Sequence, residues 1–326
     1  MNPINLQLND DESIAFCLDL HIDTQTPSSR IDDILETATD KLFDIKSKCL
    51  SRNVHHIFFA GDLFNRIAVP HLGVNRLGEV FLDFKDSEIN IYSILGNHDI
   101  VRNSLEAIDK SPTQTLFSFG VVTHLCSDIP VIINRNCMIS SFDYTEAPRS
   151  AFSGAGYNIL LAHMFYNASS FLADKHNLTK EDIDRLGYDM VILGHDHEAY
   201  PVVRQGKSYI YRFGSILRGT VHNYNFSRKP QFMVLSHPWS PNPEVDVEFV
   251  EIAHRPYSDV ASEYVLNKKQ LDSISGLQDV LSNLADMMVD SSDSVGDRVL
   301  DIINNDPNLP NDCRSLILRY LAESGE

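Results

Sequence analysis

A chain of 326 residues can form one large domain or two ordinary ones, and its formal net charge of -18 at pH 7 excludes a surface that binds nucleic acid everywhere without specificity. The composition, 43% hydrophobic and 22% charged, is that of a globular protein, and the apolar runs are only strand-length, which excludes a membrane-spanning helix. The acidic start, Met1 to Asp11, lacks a signal-peptide layout, and the five cysteines (Cys17, Cys49, Cys126, Cys137, Cys313) form no CxxC pair, so reduced, mostly buried thiols in a cytoplasm are expected.

The first apolar run, Ser13 to Leu18, reads as a buried strand and ends in Asp19-Leu20-His21. On extended backbone, residues i and i+2 point the same way, so Asp19 and His21 can face one ion. Thr26 to Arg30 reads as a turn with a helix N-cap at Ser29. Ile31, Ile34, Leu35, Ala38, Leu42, Ile45 and Cys49 then follow at helical spacing. A second strand, Val54 to Ala60, runs into Gly61-Asp62-Leu63-Phe64-Asn65-Arg66. Strand, helix, strand is a βαβ unit, which predicts parallel pairing and puts the strand tips on one sheet edge. A weaker helix over 70–84 leads to a strand over 89–95 and to Gly96-Asn97-His98-Asp99. Asp19, Asp62 and Asn97 are thus expected side by side.

Short strands are predicted around Val121, Val131 and Met138, and a loop over 147–156. Tyr157 to Ala162 is a buried strand with His163 at its end, and Asp189 to Leu193 is another, ending in Gly194-His195-Asp196-His197. Further strands over 199–204, 208–213, 231–235 and 245–252 have few helical signals between them, so the second half is expected to be a mostly antiparallel sheet packed on the first. Residues 1–256 read as one domain and 257–326 as a small acidic helical appendage. Charge is uneven: residues 199–243 contain no Asp or Glu but hold Arg204, Lys207, Arg212, Arg218, Arg228 and Lys229, whereas from Glu244 onward 17 acids face 6 bases. The basic stretch, with Tyr209, Tyr211, Tyr224 and Phe226, is expected to form a phosphate-tracking surface.

Seven candidate ligands result: Asp19, His21, Asp62, Asn97, His163, His195 and His197. A mixture of carboxylate, amide and imidazole suits Mn²⁺, Fe²⁺ or Zn²⁺ better than Ca²⁺ or Mg²⁺, and seven donors suffice for two ions when one carboxylate bridges.

In this order, Asp19-x-His21, Gly61-Asp62, Gly96-Asn97-His98-Asp99, His163 and Gly194-His195-x-His197 resemble the five motifs of calcineurin-like metallophosphoesterases. The resemblance implies a four-layer α-β-β-α sandwich of two mixed sheets flanked by helices. It also implies one ion on Asp19, His21, Asp62 and His197, a second on Asp62, Asn97, His163 and His195, and His98 as the catalytic imidazole facing the phosphate. Within that superfamily, Pro27-Ser28-Ser29-Arg30-x-Asp32-Asp33, Gly61 to Arg66 and Phe213-Gly214-Ser215 with Arg218 are similar to SbcD-type DNA repair nuclease subunits and their phage relatives. That resemblance implies Mn²⁺-dependent cleavage of DNA, with Fe²⁺, Zn²⁺ or Mg²⁺ as alternatives, an SMC-like (SbcC-type) ATPase partner, and a homodimer. Asn65, Arg102 and Arg218 are expected to contact substrate, Asn65 by orienting His98 where related enzymes carry Asp or His. The alternatives are a small-molecule phosphodiesterase or phosphatase, and a catalytically silent nucleic-acid-processing scaffold.

Overall fold

The computed structural model describes residues 2–100, 105–167, 177–220, 222–240, 245–263 and 265–266. The chain divides into two compact units, Met1–Ser262 and Glu263–Glu326. From residue 267 on, the expected helical appendage lies outside the described residues.

In chain order the strands are β1 (Ile4–Leu6), β2 (Ser13–Cys17), β3 (Val54–Phe59), β4 (Asn90–Ser93), β5 (Thr123–His124), β6 (Val131–Ile133), β7 (Cys137–Phe142), β8 (Tyr157–His163), β9 (Phe165–Asn167), β10 (Asn177–Thr179), β11 (Met190–Gly194), β12 (Val203–Gln205), β13 (Ser208–Tyr211), β14 (Gln231–Ser236) and β15 (Asp246–Glu251). The helices are α1 (Ile34–Leu50), α2 (His71–Asp86), α3 (Pro112–Ser118) and α4 (Lys180–Leu186).

The first sheet runs β15-β14-β2-β3-β4-β5. Its β2, β3, β4 and β5 are parallel, as the βαβ spacing predicts, while β14 lies antiparallel on β2. The second sheet runs β1-β6-β7-β8-β11-β13-β12, and β9 pairs with β10 as a separate ribbon. Two expectations fail here. The second sheet is not mostly antiparallel: β7, β8, β11 and β13 are parallel neighbours, and the antiparallel pairs are β6 with β7 and β12 with β13. Nor do all the late strands join it, because β14 and β15 return to the first sheet. Apolar strand runs carry no label for their partner, and only tight hairpins are local enough to read.

Period-two alternation builds the layers. Ile14, Phe16 and Phe58 of the first sheet pack with Ile139, Ile159, Leu161, Met190 and Ile192 of the second in one buried cluster between the sheets. Their neighbours Ala15, Cys17, Ile57 and Phe59 face the opposite way, onto Leu42 and Ile45 of α1 and Phe81 and Phe84 of α2. Leu160, Val191 and Leu193 pack on Ile183 and Leu186 of α4. The result is helix, sheet, sheet, helix. Each large side chain so buried contributes roughly 1.5–3 kcal/mol from removal of apolar surface.

The start of α1 differs from expectation. Asp33, not Ser29, is the N-cap, its carboxylate accepting from the Leu35 and Glu36 amides at 2.9 and 3.0 Å. Ser29 is buried and donates to the Gly219 carbonyl at 2.6 Å. Ile31 consequently lies before the helix and is 70% exposed. Both residues are good caps, but residues 29–31 pair with 260–262, the Ile31 amide donating to the Val260 carbonyl and the Ser262 amide to the Ser29 carbonyl at 2.9 Å each, which keeps that stretch extended. Asp33→Ala should lower stability by about 1 kcal/mol in urea unfolding; an unchanged midpoint would show that the cap contributes nothing.

Candidate metal centre

The described ligand candidates all sit at or just beyond strand tips. Asp19 follows β2, Asp62 follows β3 and Asn97 follows β4, three adjacent strands of one sheet. His163 ends β8 and His195 follows β11, adjacent strands of the other, with Gly194 in register with His163.

The tips leave the strand conformation abruptly. Asp19, His21, Asp62 and His195 have φ of 43°, 52°, 50° and 89°, and they account for four of the nine non-glycine residues with positive φ among those described. Each such residue costs on the order of 1–3 kcal/mol and persists only where its surroundings over-determine it. The surroundings do so here. The Leu20 and His21 amides both donate to the Asp62 carbonyl, at 3.0 and 2.9 Å. Gly61 and Gly96 pass so closely that a Cβ on Gly96 would lie 2.1 Å from Asp62 Oδ1, which fixes glycine at that position.

The motifs interlock through their acids. Asp62 Oδ1 accepts from the His98 amide at 2.9 Å, and Asp19 Oδ1 from the His195 amide at 2.9 Å. The remaining oxygens, Asp62 Oδ2 and Asp19 Oδ2, are fully buried and accept no hydrogen bond. Around them stand imidazoles. His163 Nε2 lies 3.2 Å from Asp62 Oδ2 and 3.0 Å from Asn97 Oδ1. His21 Nε2 lies 2.8 Å from His197 Nε2 and 3.6 Å from Asp62 Oδ2. Three overlapping groups of donors result, Asp19 with His21 and His197, Asp19 with Asp62 and His163, and His21 with Asp62 and His98. His195 belongs to none of the three, although its ring lies 4.9 Å from that of His163.

The residues present fit divalent cations. Bare buried carboxylate oxygens beside converging imidazole nitrogens are costly without a cation, and the donor chemistry is that of a borderline metal. His163 Nδ1 faces the Ala60 carbonyl at 2.7 Å, and a carbonyl can only accept, so Nδ1 carries the hydrogen and Nε2 is the nitrogen turned to the site. The electrostatics agree. Burial opposes charge on both Asp62 and His163, yet each overcomes it for the other: Asp62 stays well below the ordinary carboxylate range, and His163 rises to about 9. Burial pushes Asp19 up to about 7 against the pull of His163, and holds His195 down to about 2 and His197 to about 4. Two neutral imidazoles are thus ready to donate lone pairs.

His98 is anchored from below. Its Nδ1 donates to the Asn65 backbone carbonyl. The expectation that the Asn65 side chain orients His98 is therefore wrong in its atom: the amide donates instead to Asp23 Oδ2 at 3.0 Å. Asp23 was missed from the sequence. It is buried, binds Arg66 at 2.8 Å, and holds the loop that carries Asn65. Its signal was available, since Asp19-x-His21-x-Asp23 continues the period of two. Asp99 braces the turn, with Oδ2 accepting from the Asp62 and Gly96 amides at 2.8 and 3.0 Å and Oδ1 from Thr113 at 2.6 Å.

Arg102 lies outside the described residues. Arg218 is not a surface phosphate contact. It is buried, donates to the carbonyls of Asn225 and Arg255, and lies 5.3 Å from the Tyr257 ring. Of the expected basic surface over 199–243, Arg204 is exposed and lies 5.5 Å from the Tyr209 ring, but among the described residues the other bases are buried or paired. Arg228 is buried, Lys207 and Lys229 pair with Asp189 and Glu251 at 2.8 Å, and Arg212 lies 3.9 Å from Asp196 and 4.1 Å over the Tyr200 ring. A local deficit of acids in sequence does not prevent acids from elsewhere arriving in space.

A family model described as calcineurin-like phosphoesterase matches residues 13–199. Among solved structures the chain is similar to TT1561 of Thermus thermophilus, at 8% identity over 74% of this chain and 99% of that one, with a TM-score of 0.43. It is also similar to a dimetal phosphatase from Danio rerio, at 10% identity over 74% of this chain and 97% of that one, with a TM-score of 0.47. No curated protein sequence matches the chain.

Asp62→Ala should remove both ions together, because Asp62 belongs to two of the donor groups, with His21 in one and with Asp19 and His163 in the other. Equilibrium dialysis against Mn²⁺ with elemental analysis measures this, and a variant that keeps one tightly held ion would exclude a bridging role.

Proposed function

This chain belongs to the calcineurin-like phosphoesterase family, and we propose that it hydrolyses phosphodiester bonds with two divalent cations, manganese foremost, and that its substrate is DNA. The observation that carries the reading is the pair of bare, buried oxygens on Asp19 and Asp62, ringed by donors from both sheets with His98 beside them. Asp19, His21, Asp62 and His197 would hold one ion and Asp62, Asn97, His163 and His195 the other. Such a pair, when bound, supplies a Lewis-acid clamp on phosphoryl oxygens and a hydroxide at neutral pH.

The chain's own residues do the rest. The His98 amide on Asp62 ties the third strand tip to the second, and Asn97, 3.0 Å from His163, brings it against the tip of β8 in the other sheet. With Nδ1 of His98 committed to the Asn65 carbonyl, Nε2 of the doubly protonated ring is the nitrogen that can hand a proton to the leaving oxygen, leaving the neutral imidazole. General acid help of this kind contributes about 10²–10⁴-fold.

Two observations support nucleic acid as the substrate class. Phe165, 41% exposed, packs on His195 with ring centroids 4.0 Å apart, so an aromatic face stands beside a candidate ligand where a base would stack. The stretches resembling SbcD-type nucleases also meet in space, Arg30 donating to the Arg218 carbonyl and Ser29 to that of Gly219. An SMC-like ATPase partner and a homodimer belong to the same proposal. One observation favours the second reading, a small phosphodiester: of the bases expected to track a phosphate backbone, all but Arg204 are buried or paired.

End-labelled linear duplex and single-stranded DNA, incubated with Mn²⁺ and with an EDTA control beside a chromogenic phosphodiester, separates the two. Cleavage of DNA that EDTA abolishes is expected; turnover of the chromogenic compound with DNA left intact would select the small-substrate reading. His98→Ala should lower cleavage by about 10²–10⁴-fold while both ions stay bound, and loss of an ion would make His98 a ligand instead.

A further inference from the structure

Residues 215–220 follow β13 and form no regular structure, yet Ser215, Ile216, Leu217 and Arg218 are buried. Buried irregular backbone must find partners for its polar groups. Here every carbonyl from Ser215 to Thr220 accepts from a side chain. Arg228 donates to Ser215 and Leu217, Lys41 to Ile216 at 2.7 Å, Arg30 to Arg218 at 3.1 Å, Ser29 to Gly219 at 2.6 Å, and Tyr257 and Asn225 to Thr220 at 2.9 and 2.8 Å.

Three of these donors are cations, and all three are buried. Burial, with mutual repulsion behind it, lowers Lys41 well below the usual range for an amine and Arg228 to about 10. A buried cation is a costly way to satisfy a carbonyl, when a hydroxyl or amide would serve. What the cations secure is seen on the other edge of the loop. The Ile216 amide donates to the Asp19 carbonyl at 3.1 Å and the Ser215 amide to the His197 carbonyl at 3.2 Å. The carbonyl edge is thus gripped by cations while the amide edge grips two ligand residues. Ser215, Leu217, Gly219 and Thr220 also line, with His21 and His197, a cleft of about 110 Å³.

We propose that Lys41, Arg30 and Arg228 are positioning residues for one of the two ion sites: they clamp the 215–220 loop, and the loop sets the backbone of Asp19 and His197 and the wall of the cleft beside them. The inference rests on the two-ion reading above. It explains why Arg30 and Arg228, far apart in sequence, end on one short segment, and why Lys41 interrupts the buried stripe of α1.

The test uses the full chain and Mn²⁺ itself, followed by the electron paramagnetic resonance of free and bound ion, with the thermal midpoint in EDTA as the measure of fold. Wild-type protein should bind two ions. Lys41→Met and Arg228→Met should weaken one of them by about tenfold or more, the size of effect typical of residues that support metal ligands, and leave the other near its wild-type affinity. Arg228→Lys, which keeps a donor and the charge, should recover part of the loss. Should Arg228→Met not fold, Lys41→Met and Arg228→Lys carry the comparison. Variants with lower midpoints in EDTA but two ions bound as tightly as in wild type would reduce the cations to fold stability and overturn the inference. Wild-type protein that binds no Mn²⁺ would instead remove the two-ion reading, and this inference with it.

Discussion

Two carboxylates, Asp19 and Asp62, are wholly buried at neighbouring strand tips, and each has one oxygen committed and one bare. The committed oxygen takes the amide of a histidine from another motif, His195 for Asp19 and His98 for Asp62. That arrangement ties four motifs, far apart in sequence, into one body. The bare oxygens then face each other's imidazoles across a space that only positive charge makes tolerable. A proton on His163 answers part of the demand, and a pair of divalent ions answers it more fully.

The fold supplies what this constraint requires. Parallel β2, β3 and β4 bring three tips to one edge, and parallel β8 and β11 bring two more from the other sheet. The left-handed backbone at Asp19, His21, Asp62 and His195 turns their side chains inward at a cost the sandwich core absorbs. Around that centre, support is layered. Asp99 and Asp23 hold the turns that carry Asp62, Asn65 and His98, and the cation-clamped loop holds Asp19 and His197 from behind.

Much of this was legible in the sequence because strand periodicity is local. Asp19-x-His21 and His195-x-His197 announce a shared direction, and an apolar run before each announces the strand. What failed was non-local. Nothing in the run 231–236 says that β14 will pair with β2 rather than with its predecessors. Ser29 and Asp33 are equally good caps until the distant stretch 260–262 pairs with 29–31 and keeps it extended. Arg218 and Arg228 looked like surface charges, because a composition count cannot distinguish a guanidinium in water from one satisfying buried carbonyls. The side chain of Asn65 was given a task that its backbone performs.

The most direct test is crystallographic. Crystals grown with Mn²⁺ and measured at the manganese absorption edge should show two anomalous peaks about 3.5–4 Å apart, one against Asp19, His21 and His197, the other against Asn97, His163 and His195, with Asp62 Oδ2 touching both. A single peak, or a peak coordinated by His98 Nε2 in place of one of those histidines, would contradict the two-ion centre with a free catalytic imidazole.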